Sequence, residues 1–218
     1  ALWAVETGRL RLATGLLVVL SLFKESLGAY VAGIGLLVLF RAARARDARR
    51  ARYGGAWVAY GAACFVVVNR VLMPWFIARG NPPEPHETFG DFGPTVFAAL
   101  VGMLSDPLKA VSAVFVPEEK ALSLGVTVAG VGGLALLAPE VGIAALPLLA
   151  ERFLSSKATM WQMGYHYAAP LTLYAGWSAA LALPSVTSRV ARVLEALHPG
   201  SASSAPRAVA GYLLASMA

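Results

Sequence analysis

Uncharged apolar stretches divide the chain. Residues 12–23, 26–40, 121–139 and 158–188 carry no formal charge, and 54–77 is broken only by Arg70 near its far end. In lipid every backbone polar group must be satisfied within its own segment, so these stretches predict helices. Spans are expected near 9–23, 26–40, 54–77, 120–138, 141–154 and 167–186, with a seventh beginning near 207. The first, second and fifth are short for a hydrocarbon core of about 30 Å, and are expected to be tilted, broken or partly interfacial. Residues 92–105 and 108–116 are apolar but too short to cross, and predict interfacial or re-entrant helices. The expected fold class is all-α: one polytopic transmembrane bundle over 1–218, with about six to seven spans.

Composition points the same way. Of 218 residues, 58% are hydrophobic and 14% charged, with mean hydropathy +0.65, against about 25% charged in an ordinary globular domain. A soluble chain this short has too little interior to hide that much apolar surface. The single cysteine, Cys64, sits in an apolar run. It offers neither a disulfide framework nor a thiolate metal site. The chain opens Ala1-Leu2-Trp3 without a signal-peptide pattern and closes on what reads as the start of another span, so a piece of a longer protein is expected.

Charge predicts sidedness. Arg41, Arg44, Arg46, Arg49, Arg50 and Arg52 crowd one connector with only Asp47 against them, which places that connector in the cytoplasm of a plasma (cytoplasmic) membrane protein. Threading the spans puts Arg9, Arg11, Arg189, Arg192 and Arg207 on the same side. Eleven basic residues then face four acidic ones inside, and seven face eight outside. The pI near 9.8 does not imply nucleic acid, because the arginine run abuts a span and lacks interleaved aromatics. Topology and contact with anionic lipid are the expected roles of the run.

The chemistry-bearing residues gather on the other side. In the loop 79–91, His86, Glu87 and Asp91 are of metal-ligating type, but their spacing matches no established motif; a solvated connector is expected and no metal site is assigned. Lys24 and Glu25 interrupt two closely spaced spans. They form either a buried pair lining a cavity or a tight turn at the headgroups. Glu151 and Arg152, then Lys157, then the run from Trp161 to Tyr165, His166 and Tyr167 form a second cluster able to hold a phosphate or a sugar at the membrane surface, although aromatic residues also collect at interfaces for amphipathic reasons. Gly130-Val131-Gly132-Gly133 falls in an expected span with no preceding strand, and predicts helix packing rather than a nucleotide loop. No Ser/His/Asp order, no paired aspartates and no CxxC occur.

Five strings occur in a telling order: Leu22-Phe23-Lys24-Glu25, Val71-Leu72-Met73-Pro74-Trp75-Phe76, Leu136-Leu137-Ala138-Pro139-Glu140, Ala145-Leu146-Pro147-Leu148-Leu149 and Gly164-Tyr165-His166-Tyr167-Ala168-Ala169-Pro170-Leu171. Across most of its length the chain resembles the predicted membrane proteins called domain of unknown function 2079. That family in turn resembles the GT-C class of membrane glycosyltransferases, which take sugars from polyprenyl-phosphate carriers. The resemblance implies a lipid-linked sugar donor on the extracytoplasmic side. In that class the catalytic acid usually lies in the first large extracytoplasmic loop, near the N-terminus. This sequence corresponds to the later part of the pattern and has no such loop, so no residue here is assigned as catalytic.

On this basis the chain is expected to be the membrane portion of a GT-C-like glycosyltransferase, with Arg152, Lys157, Tyr165, His166 and Tyr167 at the donor and Lys24 and Glu25 supporting the cavity. The competing expectation is a non-catalytic membrane subunit that packs against a membrane-protein partner, for which Gly28, Gly33 and Gly35 suit close helix contact. A transporter would require an internal symmetry that is not visible. The sequence specifies no cofactor.

Overall fold

The computed structural model describes residues 1–23, 27–79, 89–93, 96–162, 169–198, 200 and 202–216. In chain order the helices are α1 (Leu2–Glu6), α2 (Leu10–Ser21), α3 (Leu27–Ala45), α4 (Ala48–Val67), α5 (Met73–Ala78), α6 (Val96–Ser105), α7 (Pro107–Ala113), α8 (Glu118–Ala129), α9 (Val141–Phe153), α10 (Ala158–Trp161), α11 (Ala169–Leu197) and α12 (Ala205–Ser216). The described residues contain no strand, so the chain is all-α. A π-helical stretch, Val68–Leu72, joins α4 to α5, and short 3₁₀ turns cover Leu134–Leu137 and Ala202–Ser204. Two helices, Leu27–Ala45 and Ala48–Phe76, are long and apolar enough to cross a membrane; α2 is apolar but shorter.

Several expected boundaries move, each for a local reason. The arginine connector is two helix ends rather than a loop: Arg41 and Arg44 lie on α3, and Arg49, Arg50 and Arg52 on α4. The turn is made by Arg46, at φ 53, and by Asp47, whose carboxylate accepts the Arg50 backbone N–H at 3.0 Å and so caps α4. The span expected over 120–138 is not one helix. It breaks after Ala129, where Gly132 and Gly133 take φ of 62 and 70, a left-handed conformation that glycine adopts without steric cost. The Gly130–Gly133 segment is therefore a turn, not a helix-packing surface. In the other direction, α11 continues to Leu197, well past the expected end near 186.

The centre of the bundle is α3, which packs on α4 along one side and on α9 along the other. Gly28 and Gly35 of α3 meet Gly61 and Gly54 of α4 backbone to backbone, while Gly33 receives the Pro147 ring and the Ala144 carbonyl of α9. All three glycines that suited a partner helix are thus occupied inside this chain. On α9, Val141, Ala144, Ala145, Leu148 and Arg152 are buried. They follow the i, i+3, i+4, i+7, i+11 stripe of an amphipathic helix. Ser178 of α11 donates to the Ala135 and Ala138 carbonyls at 2.7 and 3.0 Å, tying α11 to the turn before α9.

A polar belt closes one end of the bundle. Arg41 reaches Glu6 at 2.7 Å and Glu140 at 3.4 Å, and the Trp177 indole N–H donates to the same Glu6 oxygen at 3.0 Å. Three elements, α1, α3 and α11, therefore meet on the Glu6 carboxylate, and Arg41 extends the belt to Glu140 before α9. Glu6→Ala is expected to lower stability by about 1 kcal/mol, because the groups remain partly solvated. Thermal unfolding in detergent measures this, and the loss shrinks at high salt.

Candidate anion site between α3, α8 and α9

Away from that belt, α9 ends on a second polar cluster. Arg152 occupies the last turn of α9 on its buried stripe and is 1% exposed. The adjacent Glu151 accepts a hydrogen bond from the Tyr30 hydroxyl of α3, and both groups lie within Coulombic reach of the Arg152 guanidinium. Tyr30 and Arg41 are eleven residues apart, as are Glu140 and Glu151. At 1.5 Å rise per residue the two polar levels are separated by about 16 Å along both helices.

Lys120, in the first turn of α8, enters the same region. It is 4% exposed, and its ammonium donates to the Phe153 carbonyl at 2.7 Å and the Ala113 carbonyl at 2.9 Å. These bonds close the ends of α9 and α7, where the last carbonyls have no partner within the helix, and a cation there also suits the helix dipoles. Ser123, one turn along α8, donates to the Trp161 carbonyl at 2.6 Å. Lys157 is half-buried and brings its backbone N–H to the Ser155 hydroxyl at 3.1 Å.

Trp161 completes the arrangement. Its ring is 6% exposed and stands 5.9 Å from the Lys120 ammonium. Its indole N–H is buried without an acceptor among the described residues. A buried donor left in that state costs about 1–3 kcal/mol. The cluster thus concentrates donors: a guanidinium, an ammonium and an indole N–H, with the Glu151 carboxylate already engaged by Tyr30. Chemically this favours an anion with several acceptor oxygens over a cation or an apolar ligand.

Of the residues expected at the site, the structure brings Arg152 into the cluster and places Lys157 on the segment beside it. Lys24, Glu25, Tyr165, His166 and Tyr167 lie outside the described residues, as do His86 and Glu87 of the candidate metal loop. Asp91 of that loop accepts the Lys109 ammonium on its backbone carbonyl at 2.7 Å. Trp161 also belongs to the cluster expected from the sequence, whereas Tyr30 and Lys120 were not singled out from the sequence as parts of the site. Lys120 carried the one available signal, since it is the last charge before the uncharged run 121–139.

Residues 1–194 match the family model described as predicted membrane protein, DUF2079. The chain belongs to this family. No match was found among curated proteins or among solved structures. Membership agrees with the sequence resemblance and with the two helices long enough to span a bilayer.

Proposed function

We propose that this DUF2079 chain is the membrane portion of a GT-C-like glycosyltransferase that uses a polyprenyl-phosphate-linked sugar on the extracytoplasmic side of the plasma membrane. In this reading the chain is multi-pass, with about six to seven crossings or partial crossings, and the Arg41–Arg52 segment is cytoplasmic. The observation that carries it is the burial of Arg152 next to Glu151 and Tyr30, at the end of α9 whose Phe153 carbonyl the buried Lys120 ammonium caps. The Arg41 belt marks the cytoplasmic level, so the cluster lies about 16 Å deeper, roughly halfway through a hydrocarbon core of about 30 Å. Ionisable groups at such depth pair, or face a water-filled path, and characteristically belong to a substrate route.

Arg152 supplies a two-pronged charge-assisted fork to the donor phosphate, and the Trp161 N–H supplies a fixed donor. Tyr165, His166 and Tyr167 follow closely in sequence, where His166 would hydrogen-bond the leaving phosphate or move a proton. Lys157 adds charge at the mouth, with Lys24 and Glu25 supporting the same cavity. No catalytic carboxylate is assigned within this chain. The non-catalytic-subunit reading draws less support than before, since Gly28, Gly33 and Gly35 are spent on internal contacts.

The test is sugar transfer from a radiolabelled polyprenyl-phosphate donor by the full native gene product in membrane vesicles. Arg152→Lys and His166→Ala are each expected to reduce transfer by about 100-fold or more, as when a positioned donor is lost, with the protein still inserted. Wild-type transfer in both variants would remove the site assignment. Stable copurification with one membrane partner, without binding of polyprenyl-phosphate sugars, would shift the reading to a subunit.

A further inference from the structure

The arginine-rich end of the bundle holds more positive charge than its own carboxylates answer. Glu6 and Glu140 both bond Arg41, and Asp47 is taken by the Arg50 backbone and side chain. Arg9, Arg11, Arg44, Arg46, Arg49 and Arg52 are exposed and make no ion pair among the described residues. They flank a concavity between α1–α2 and the α3–α4 turn that is itself lined by Val5, Glu6, Leu10, Val38 and the paired Arg41 and Arg50, with Arg9 next in sequence to Leu10 and Arg49 next to Arg50. A Cβ added at Gly8 would stand 3.8 Å from the Arg50 guanidinium. α2 has no acidic residue at its cap or in its first turn, so its positive end adds to the arginines, whereas the end of α4 is answered by the Asp47 cap.

The same surface turns apolar within one helical turn. Leu12, Leu16 and Val19 of α2 are exposed at i, i+4, i+7 spacing, directly following Arg11. No heavy atom outside the helix lies within 4 Å of a Cβ placed on Gly15 between them. A free phosphate would use the arginines and leave this stripe unused. A phospholipid uses both, with the phosphodiester at the arginines and an acyl chain along α2.

We infer that this end of the protein binds an anionic phospholipid, its headgroup held by Arg9, Arg11, Arg49 and Arg52 and its acyl chain laid on the Leu12–Leu16–Val19 face. The inference uses a different surface from the donor site and stands or falls separately from the transferase reading. The experiment reconstitutes the full chain in nanodiscs with equal phosphatidylglycerol and phosphatidylcholine, and counts retained lipid by native mass spectrometry. Wild type is expected to retain phosphatidylglycerol preferentially. Arg9→Gln/Arg11→Gln and Arg49→Gln/Arg52→Gln are each expected to lower that preference about 30-fold, from roughly 1 kcal/mol for each of the two arginines removed. Arg189→Gln/Arg192→Gln on α11 is expected to leave it unchanged. Equal retention of the two lipids by wild type overturns the inference, as does an equal loss in the α11 variant. Displacement of phosphatidylglycerol by inorganic phosphate at millimolar concentration overturns the lipid assignment in favour of a bare anion site.

Discussion

Gly61→Val is expected to lower stability by about 3 kcal/mol and to separate α3 from α4, the most extensive helix pair in the bundle. A Cβ at Gly61 runs into the Gly28 carbonyl oxygen and stands 2.5 Å from the Ala32 backbone nitrogen. Both obstacles are backbone, so no rotamer change relieves the clash; the helices must part. In an apolar solvent, burial of apolar surface contributes little to helix association, and close van der Waals contact carries the pairing. Losing that contact at Gly61 loosens the same register at Gly28, Gly35 and Gly54. Gly55→Val is the matched control, because a Cβ there meets nothing within 4 Å. Thermal unfolding in detergent should show a lowered midpoint for Gly61→Val and little change for Gly55→Val. Equal midpoints would mean that the glycine register does not hold the pair.

The helical class was legible because its signal is cumulative: long uncharged stretches leave the backbone no choice in lipid. Boundaries were less legible because charge was treated as punctuation. Arg41 and Arg44 look like the end of a span, yet arginine is a good helix former and α3 carries straight through them to Ala45. Within the arginine segment it is Asp47, by its capping hydrogen bond, that marks a start. The glycines at 130–133 posed the opposite problem: an apolar glycine run has the composition of a packing surface, and only the positive φ of Gly132 and Gly133 identifies a turn. Arg152 was visible as a candidate from its cluster with Lys157 and the Tyr165–Tyr167 run. Its place on the buried stripe follows from the spacing of Val141, Ala144, Ala145 and Leu148. Tyr30 had no such signal and Lys120 only its place before the uncharged run 121–139, because their roles depend on α3 and α8 meeting the end of α9.

The second large effect concerns Arg152, and it separates binding from support. Arg152→Ala is expected to cost about 3–5 kcal/mol, since it breaks a buried charged group away from Glu151 and leaves a void. That result alone would not reveal a site. Arg152→Met keeps much of the volume but removes the cation, so it still leaves the half-buried Glu151 carboxylate beside Tyr30 without it. Glu151→Gln/Arg152→Met removes both charges; replacing a buried pair together is often neutral or stabilising, so the double variant is expected to recover the thermal midpoint lost in Arg152→Met. Binding of a polyprenyl-phosphate sugar, measured on the same three proteins, should not recover with it. A double variant that is stable yet fails to bind assigns the guanidinium to the ligand, because the fold has been restored and only the anion's partner is missing. A double variant that regains both stability and binding would make the Glu151–Arg152 pair a device for holding α9 against α3, and the donor phosphate would then have to be sought nearer Lys157 and His166.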